Sequence, residues 1–260
     1  EKQSKNADGG RFADIVGTRL ECEAENCNAS TGQIAAQLRL KELHQFKRLL
    51  GITSDHCVQN SGVAATPRTK RRQRAEEERK RKQQKAREKA AFIMNNAVKG
   101  AHPYLERKGF NCKGYVWNGL LVLPMRVGDS LVGCQLIGED GTKRFLSGQI
   151  TKGATLKIDN HGRDIVCEGF ATGLSVRNAM RVLRKRYTIH ICFSAGNMVE
   201  VAQRLRNPLV IADNDASGTG QRAAKKIASR YWLGEAGEDF NDAEQRLGTA
   251  GVAETLRPFI

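Results

Sequence analysis

The chain has 260 residues, which is enough for one large domain or two ordinary ones, each with its own hydrophobic core. It carries 43 lysines and arginines against 28 acidic residues, and this net charge of +15 favours polyanionic partners, nucleic acid first and an anionic membrane surface second. No stretch is long and apolar enough to span a bilayer or to form a signal core, so we expect a cytoplasmic protein without a membrane segment.

Residues 1–66 form a segment of mixed composition and unknown fold. Within it, residues 31–50 have apolar side chains at roughly helical spacing. Cys22 and Cys27 enclose four residues, a spacing that zinc ligands can use, although no second cysteine pair follows. The nearby side chains that could complete such a site are His44, His56 and Cys57. We expect no zinc at Cys22 and Cys27, and we expect reduced thiols throughout.

Residues 67–89 are strongly basic. Residues 68–89 contain twelve lysines and arginines against four glutamates, a net charge of +8, and almost no apolar side chain. Such a run is typical of either a solvated helix or a disordered linker, and both alternatives stay open. Its function is equally open between a simple spacer and an arm that contacts phosphates.

Residues 90–153 have the composition of a small globular subdomain. Apolar side chains at helical spacing in residues 91–98 predict a helix. Three short β-type runs follow at 120–125, 131–137 and 143–146, and glycine-containing turn signals separate them. This pattern predicts a basic, antiparallel meander.

Residues 154–260 alternate between strand-like and helix-like segments. The predicted strands are 164–167, 190–193 and 209–212, and the predicted helices are 171–183, 198–205 and 220–230. This alternation predicts βαβ units and a mainly parallel sheet flanked by helices, so the fold class is α/β, or α+β when the meander is included. Ligands of such sheets bind at the carboxyl ends of the strands.

Three acidic residues follow the predicted strands of this last segment. Glu168 comes directly after 164–167, and Asp213 and Asp215 come after 209–212. A single acid at such a place is usually a solvent-facing turn residue, but the combination favours a hard cation with oxygen ligands. Because residues two apart in an extended strand lie on the same side, Asp213 and Asp215 are predicted to share one Mg²⁺, with Mn²⁺ as a substitute.

Two acidic motifs carry a resemblance to a known family. Glu168-Gly169, followed 45 residues later by Asp213-Asn214-Asp215, resembles the signature motifs of the TOPRIM domain, which primases, topoisomerases and some nucleases share. The order, the separation and the βαβ pattern between the motifs carry this resemblance. It implies that Glu168, Asp213 and Asp215 are catalytic and bind the metal.

A third acidic motif, 238–242, has two alternative interpretations. The resemblance implies that Asp239 and Asp242 lie near the metal, with Asp239 as a further ligand. The alternative is an ordinary N-cap for a helix that begins near Asp242.

The segment before these motifs indicates which members of the TOPRIM family the chain resembles. Residues 102–109, 123–125, 131–137 and 141–148 are similar to phage and mobile-plasmid primases, and the whole similarity covers about residues 90–258. It implies a DNA primase that makes short RNA primers on single-stranded DNA by metal-dependent nucleotidyl transfer. The implied partners are single-stranded DNA, ribonucleoside triphosphates and a replicative helicase.

Four basic residues are candidates for phosphate contacts. Lys143 and Arg144 belong to a strand that would face the acidic cluster, and Arg107 and Lys108 belong to the segment shared with primases. The alternative for all four is a solvated charge at the end of an element. The helix starts at 194–197 and 218–220 are either phosphate sites or ordinary helix caps.

Two other functions remain compatible with the sequence. The same carboxylates would serve a metal-dependent nuclease, since two metals can activate water as well as position a hydroxyl. A non-catalytic nucleic-acid-binding protein with a decayed domain is the other alternative. The primase-like segment disfavours the first, and the intact Glu168, Asp213 and Asp215 disfavour the second.

Overall fold

A computed structural model describes residues 67–260 of the chain. The predictions made for residues 1–66, namely the helix at 31–50 and the cysteines Cys22 and Cys27, lie outside the described residues. The four cysteines between residues 67 and 260 are free thiols. None of the helices in this part of the chain is both long and apolar enough to cross a membrane.

The basic segment is helical. Helix α1 spans Pro67–Asn96 and continues without a break from the charged run into the apolar residues that follow. Pro67 suits the first position because a helix has no intrahelical partner for that N–H. Glu76–Arg79 and Glu78–Lys82 ion pairs support the charged half. The sequence analysis predicted that Val98 belongs to this helix, but the helix ends two residues earlier, at Asn96.

The next five strands form one antiparallel sheet. They are β1 (Val98–Gly100), β2 (Gly114–Trp117), β3 (Leu120–Val127), β4 (Ser130–Ile137) and β5 (Lys143–Phe145), and helix α2 (Pro103–Arg107) lies between β1 and β2. Each strand pairs with the next one along the chain. The predicted meander is therefore confirmed, with two additional strands at its start. We call this sheet the meander.

Helix α1 covers one face of the meander. Its side chains Ala86, Ala90 and Ile93 are buried against Val122 and Cys134. The helix crosses the sheet from β5, where Lys82 lies against Gly148, toward β1, into which the chain continues. The described side chains from 68 to 81 are exposed, apart from one partly buried glutamate. We call this exposed part, which would be about 20 Å long at 1.5 Å per residue, the arm.

The second sheet is mainly parallel. Its strands are β6 (Leu156–Asp159), β7 (Arg163–Cys167), β8 (Tyr187–Ile191), β9 (Leu209–Ala212) and β10 (Trp232–Leu233), in the order β10-β9-β7-β8-β6. Only β6, at one edge, is antiparallel to its neighbour. The helices are α3 (Phe170–Val182), α4 (Ala195–Ala202), α5 (Thr219–Ile227) and α6 (Phe240–Leu256), and a 3₁₀ turn, Arg257–Phe259, follows. The predicted α/β class is confirmed.

Two predicted boundaries in this sheet were misplaced. Strand β8 begins at Tyr187 rather than at residue 190, and it ends before Phe193, whose φ of 66° is left-handed. Helix α4 begins at Ala195 rather than at residue 198. Ser194 caps it by accepting a hydrogen bond from the Asn197 backbone N–H at 3.2 Å, so the helix starts directly at that serine.

Backbone and buried side chains join the two sheets. Arg126 and Thr155 exchange two backbone hydrogen bonds of 2.9 and 2.8 Å. On the other side, the buried Asn241 amide donates to the Lys108 carbonyl and to the Ser175 hydroxyl, both at 3.0 Å. The face of the meander that α1 does not cover packs against α3. These contacts fix the width of the cleft between the sheets.

Candidate active site

Three carboxylates meet at one edge of the parallel sheet. Glu168 follows β7 directly and Asp213 follows β9 directly, and these strands are parallel neighbours. Asp239 follows β10 and begins α6. The carboxyl ends of adjacent parallel strands lie at the same edge, so the three acids line one cleft of about 290 Å³. The other lining residues are Tyr104, Arg107, Lys108, Asp140, Gly141, Lys143, Gly169, Ala171 and Thr172.

Asp213 has the most unfavourable surroundings of the three. Burial, together with the charges of Asp239 and Glu168, raises the pKa of this carboxyl to about 7, although Lys143 opposes the increase. Its Oδ1 is buried and has no hydrogen-bond partner among the described residues. A buried carboxylate oxygen without a donor is costly, so this atom is suited to accept a cation.

Glu168 has surroundings that favour its anionic form more than those of Asp213 do. Burial raises the pKa of its carboxyl, Lys143 opposes that increase, and Asp215 adds to it. The backbone N–H of Ala195, at the start of α4, also lowers this pKa by hydrogen bonding. The N-terminus of α4 therefore stabilises the Glu168 carboxylate. Ser194 is an ordinary helix cap, and the Asn197 side-chain amide donates to the backbone carbonyls of Ala154 and Cys192.

Asp239 is the N-cap of α6 and also lines the cleft, and its role as a metal ligand remains a prediction. Its carboxylate accepts a 2.8 Å hydrogen bond from the Asp242 backbone N–H, and Asp242 reciprocates in a capping box. The same carboxylate lines the cleft and raises the pKa of Asp213. The cap thus fixes the position of an acid whose charge acts on the site.

Asp215 occupies a different environment from Asp213. Strand β9 ends at Ala212, so strand alternation does not extend to either aspartate. Asp215 is exposed, and its Oδ1 accepts hydrogen bonds from the Ser217 hydroxyl at 2.7 Å and the Gly218 N–H at 3.0 Å. It does not line the cleft, although its charge raises the pKa of Asp213. That the two aspartates share one cation remains a prediction.

The donor set suits a hard divalent cation. Within residues 67–260 no three histidine, cysteine or carboxylate side chains are grouped closely enough to form a ready metal site. Glu168, Asp213 and Asp239 nevertheless line one cleft, offer only oxygen donors and repel one another, and one Asp213 oxygen is without a donor. Mg²⁺ prefers such ligands and keeps open positions for phosphate oxygens.

The structure separates Lys143 from Arg144. Lys143 pairs across the sheet with Ile137, whose side chain packs toward α3, and Lys143 lines the cleft. Arg144 pairs with Leu136, whose side chain packs toward α1. Since cross-strand partners share a face, Arg144 lies on the opposite face from the acids.

Arg107 and Lys108 both line the cleft from the end of α2. Lys108 is engaged, because its ammonium lies 3.3 Å from an Asp242 carboxylate oxygen and its carbonyl accepts from Asn241. Arg107 is exposed and reaches toward Gly141. Of the four predicted cations, Lys143 and Arg107 are therefore the ones best placed to meet a ligand in the cleft.

Two further residues, Tyr104 and Gly220, contribute to the site in ways that the sequence analysis did not predict. Tyr104 lines the cleft, and burial together with the charge of Asp239 raises the pKa of its hydroxyl to about 12. Gly220 lies in the first turn of α5, where a Cβ would come within 2.5 Å of the Asp213 carbonyl oxygen. The glycine pair 218–220, which the sequence presented as a phosphate candidate, thus lets α5 pack against the Asp213 backbone.

Comparison with known protein families identifies part of the chain. Residues 163–250 match the family described as the Toprim domain, and the match contains all four acids discussed above. The C-terminal part of this protein is therefore a TOPRIM domain, preceded by an antiparallel sheet. TOPRIM domains occur in primases, nucleases and topoisomerases and typically bind Mg²⁺ through acidic residues. Comparison with curated proteins and with solved structures gave no match.

Proposed function

We propose that this protein is a DNA primase that synthesises short RNA primers on single-stranded DNA by metal-dependent nucleotidyl transfer. One observation carries the proposal. A single cleft is lined by three TOPRIM carboxylates on one side, and by Lys143 of the meander and Arg107 of helix α2 on the other.

Primer synthesis needs both kinds of charge. A ribonucleotide 3′-hydroxyl attacks the α-phosphate of an incoming triphosphate, and pyrophosphate leaves. The site must therefore orient two substrates and neutralise charge on the phosphate oxygens. Mg²⁺ held by Glu168, Asp213 and Asp239 would supply Lewis-acid stabilisation of those oxygens.

The protein's own side chains have distinct proposed roles. Lys143, which faces the acids, would bind phosphate oxygens as a point charge, and the guanidinium of Arg107 would bind them in a bidentate way. Glu168, whose pKa lies above its ordinary value, is suited to accept the proton of the attacking hydroxyl. Asp215, at the exposed side of the same loop, adds negative charge near the site.

The meander favours a primase over a nuclease. A nuclease binds no free triphosphate, so it needs no additional cations opposite its metal ligands. Here the strand β5 brings Lys143 close enough to lower the pKa of both Glu168 and Asp213. A cation at this place suits a mobile polyanion that enters beside the metal.

A direct test separates the three functions. Purified protein would be incubated with single-stranded DNA, labelled ribonucleotides and Mg²⁺, and the products resolved by length. We expect new oligoribonucleotides that depend on Mg²⁺. Shortened DNA would instead indicate a nuclease, and unchanged DNA without new RNA would indicate a binding protein.

The matched variants are two double substitutions with equal charge change. Asp213→Asn with Asp215→Asn should abolish synthesis while the fold is kept, because the cation loses Asp213 as a ligand together with the nearby negative charge of Asp215. Asp129→Asn with Glu88→Gln removes two exposed carboxylates that do not line the cleft, and should synthesise normally. Full activity of the first pair would refute the assignment of the metal ligands.

A further inference from the structure

A half-exposed aromatic side chain stands beside the acidic cleft. Phe145, in the edge strand β5, is 44% exposed, which is a large fraction for a phenylalanine. Its ring meets the ring of Phe193 edge to face, with centroids 6.4 Å apart and planes at 83°. Phe193 follows β8 in the TOPRIM domain, so this pair bridges the two sheets.

Phe193 is a fixed partner. Its side chain packs against the core of the TOPRIM sheet and against the meander cluster that contains Leu123. Its backbone N–H donates a 2.9 Å hydrogen bond to the carbonyl oxygen of Glu168. The left-handed backbone at Phe193, with φ of 66°, is uncommon for a residue other than glycine. Phe145 therefore contacts Phe193, and Phe193 is hydrogen-bonded to the backbone of Glu168.

Phe145 also shares a face with Lys143. The two residues are separated by one position in β5, so their side chains point to the same side and are roughly 6.6 Å apart along the strand. Lys143 acts on Glu168 and Asp213. The half-exposed Phe145 ring thus lies on the face of β5 that bears Lys143, the cation that faces the acids.

We infer that Phe145 is a stacking surface for the base of the ribonucleotide whose phosphates occupy the cleft. The inference rests on the proposed function for the identity of that ligand. An aromatic ring with a free face binds any base, because every base has a π-face. A primase must accept four different ribonucleotides, and a stacking contact beside a phosphate site supplies affinity without selecting among them.

The test compares two ligands by calorimetry on the full-length protein with Mg²⁺. One probe is ATP, and the other is inorganic tripolyphosphate, which has the phosphates but no base. The variants are Phe145→Leu, which keeps an apolar contact with Phe193 but lacks a π-face, and Phe145→Trp, which keeps one. Phe92→Leu is the control, because Phe92 is 59% exposed on α1, on the opposite face of the meander.

We expect Phe145→Leu to weaken ATP binding by about 5- to 100-fold, the loss of one base stack, and to leave tripolyphosphate binding unchanged. Phe145→Trp should bind ATP at least as tightly as the wild type, and Phe92→Leu should resemble the wild type. Thermal unfolding of each variant would establish that the fold is kept. Rescue by tryptophan would not occur if Phe145 were only a contact between the sheets.

Several results would overturn the inference. They are equal ATP affinity in the wild type and Phe145→Leu, equal losses for ATP and tripolyphosphate, loss of single-stranded DNA binding without loss of ATP binding, and no ATP binding by the wild type. The proposed function fails separately. Primer synthesis with a normal Phe145→Leu variant would refute only the stack, whereas base-dependent ATP binding without primer synthesis would refute only the primase.

Discussion

Asp213 bears a carboxyl group that its own fold disfavours as an anion. Its pKa in the folded protein, about 7, lies well above the ordinary value because of burial and of the neighbouring acids. Ionisation therefore costs more in the folded chain than in the unfolded chain. Such a cost is expected at a site that binds a cation, since the cation offsets it.

This cost predicts a stabilising substitution. In buffer with a chelator, the wild type should lose stability as the pH rises from about 4, the unfolded pKa, to 7, because the unfolded chain releases its proton first. Asp213→Asn has no such loss. The variant should therefore exceed the wild type by on the order of 3 kcal/mol in free energy of unfolding above pH 7, and by little near pH 4.

Urea unfolding at a series of pH values measures this difference. Asp215→Asn is the control, because that carboxylate is exposed. Added Mg²⁺ should stabilise the wild type more than Asp213→Asn, since a ligand that binds only the folded state shifts the equilibrium. A difference between wild type and variant that does not change with pH would contradict the explanation.

The two adjacent cations of β5 form a natural pair for a second prediction. Lys143→Ala should raise the apparent KM for ribonucleotides by about tenfold or more, the loss of one charged hydrogen bond. Arg144→Ala removes the same charge from the opposite face of the strand and should leave that KM near its wild-type value. Steady-state primer synthesis measures both. Equal effects of the two variants would show that general electrostatics, and not the position of Lys143, governs nucleotide binding.

At the residue scale, the sequence predicted that Glu168 and Asp213 lie at one edge of the sheet, but not what surrounds each of them. Glu168 and Asp213 directly follow apolar strands, so their meeting at one sheet edge follows from the topology alone. The distinction between Lys143 and Arg144 depends on which face of β5 meets α1, and the sequence contains no signal for that. Asp215 differs from Asp213 because the strand ends at Ala212 and a turn begins.

Helix α5 begins against the backbone of Asp213, the residue that follows β9, and this contact depends on a glycine. Gly220→Ala should displace the Asp213 backbone, since its Cβ would come within 2.5 Å of that carbonyl oxygen. We expect a loss of about 1–3 kcal/mol in stability, typical of overpacking, together with lower affinity for Mg²⁺. Thermal unfolding and metal titration measure the two effects.

Gly196→Ala is the matched control for this helix. Gly196 is also the second residue of a helix that follows a strand, but no atom lies within 4 Å of its Cβ position. Alanine favours a helix over glycine, so this variant should be neutral or slightly stabilised. If both alanine variants behaved alike, the close approach at Gly220 would not be limiting.

At the element scale, the errors of the sequence analysis have particular causes. Strand β8 was predicted to begin three residues too late, at residue 190, and the polar Thr188 lies in the missed part; in the structure its hydroxyl donates a 2.8 Å hydrogen bond to Asp159. The charged half of α1 had no apolar periodicity to distinguish a helix from a linker. Its helicity is supported by ion pairs within one turn and by the buried half that follows.

Basic side chains of the arm and of Arg144 lie on the same side of the meander. The arm leaves the meander at the β5 side, where Lys82 lies against Gly148, and Arg144 faces the same side of the sheet as α1. We predict that the arm contacts phosphates of the template strand without reading its sequence. Changing Arg71, Arg72 and Arg74 to Gln should weaken binding of single-stranded DNA uniformly across sequences. It should also lower the slope of log K against log salt by about 0.7 per lost contact.

Fluorescence anisotropy over a series of salt concentrations measures that slope. The control changes Arg181, Lys185 and Arg186 to Gln. These exposed residues carry the same charge and lie between the last turn of α3 and the start of β8, at the amino ends of the parallel strands. A control with the same slope change would attribute binding to net charge. An unchanged slope in the arm variant would make the arm a spacer.

At the scale of the whole molecule, the sequence predicted both sheet types because their periodicities differ. The meander shows short runs with turn signals, and the TOPRIM domain shows strands separated by helices. How the two sheets pack could not be predicted, since it depends on single contacts such as the Arg126–Thr155 bridge and the buried Asn241. Those contacts bring Lys143 and Arg107 to the cleft that Glu168, Asp213 and Asp239 line.

The shared cluster between the sheets also has a consequence for biosynthesis. Leu121, Leu123 and Ile137 of the meander are covered by Ala171 and Leu174 of α3. On a ribosome that adds roughly 5–20 residues per second, the 37 residues from Ile137 to Leu174 take about 2–7 s to polymerise. A nascent meander therefore exposes an apolar face for seconds before α3, which buries that face, is translated. A chain truncated before α3 would expose this aggregation-prone surface permanently.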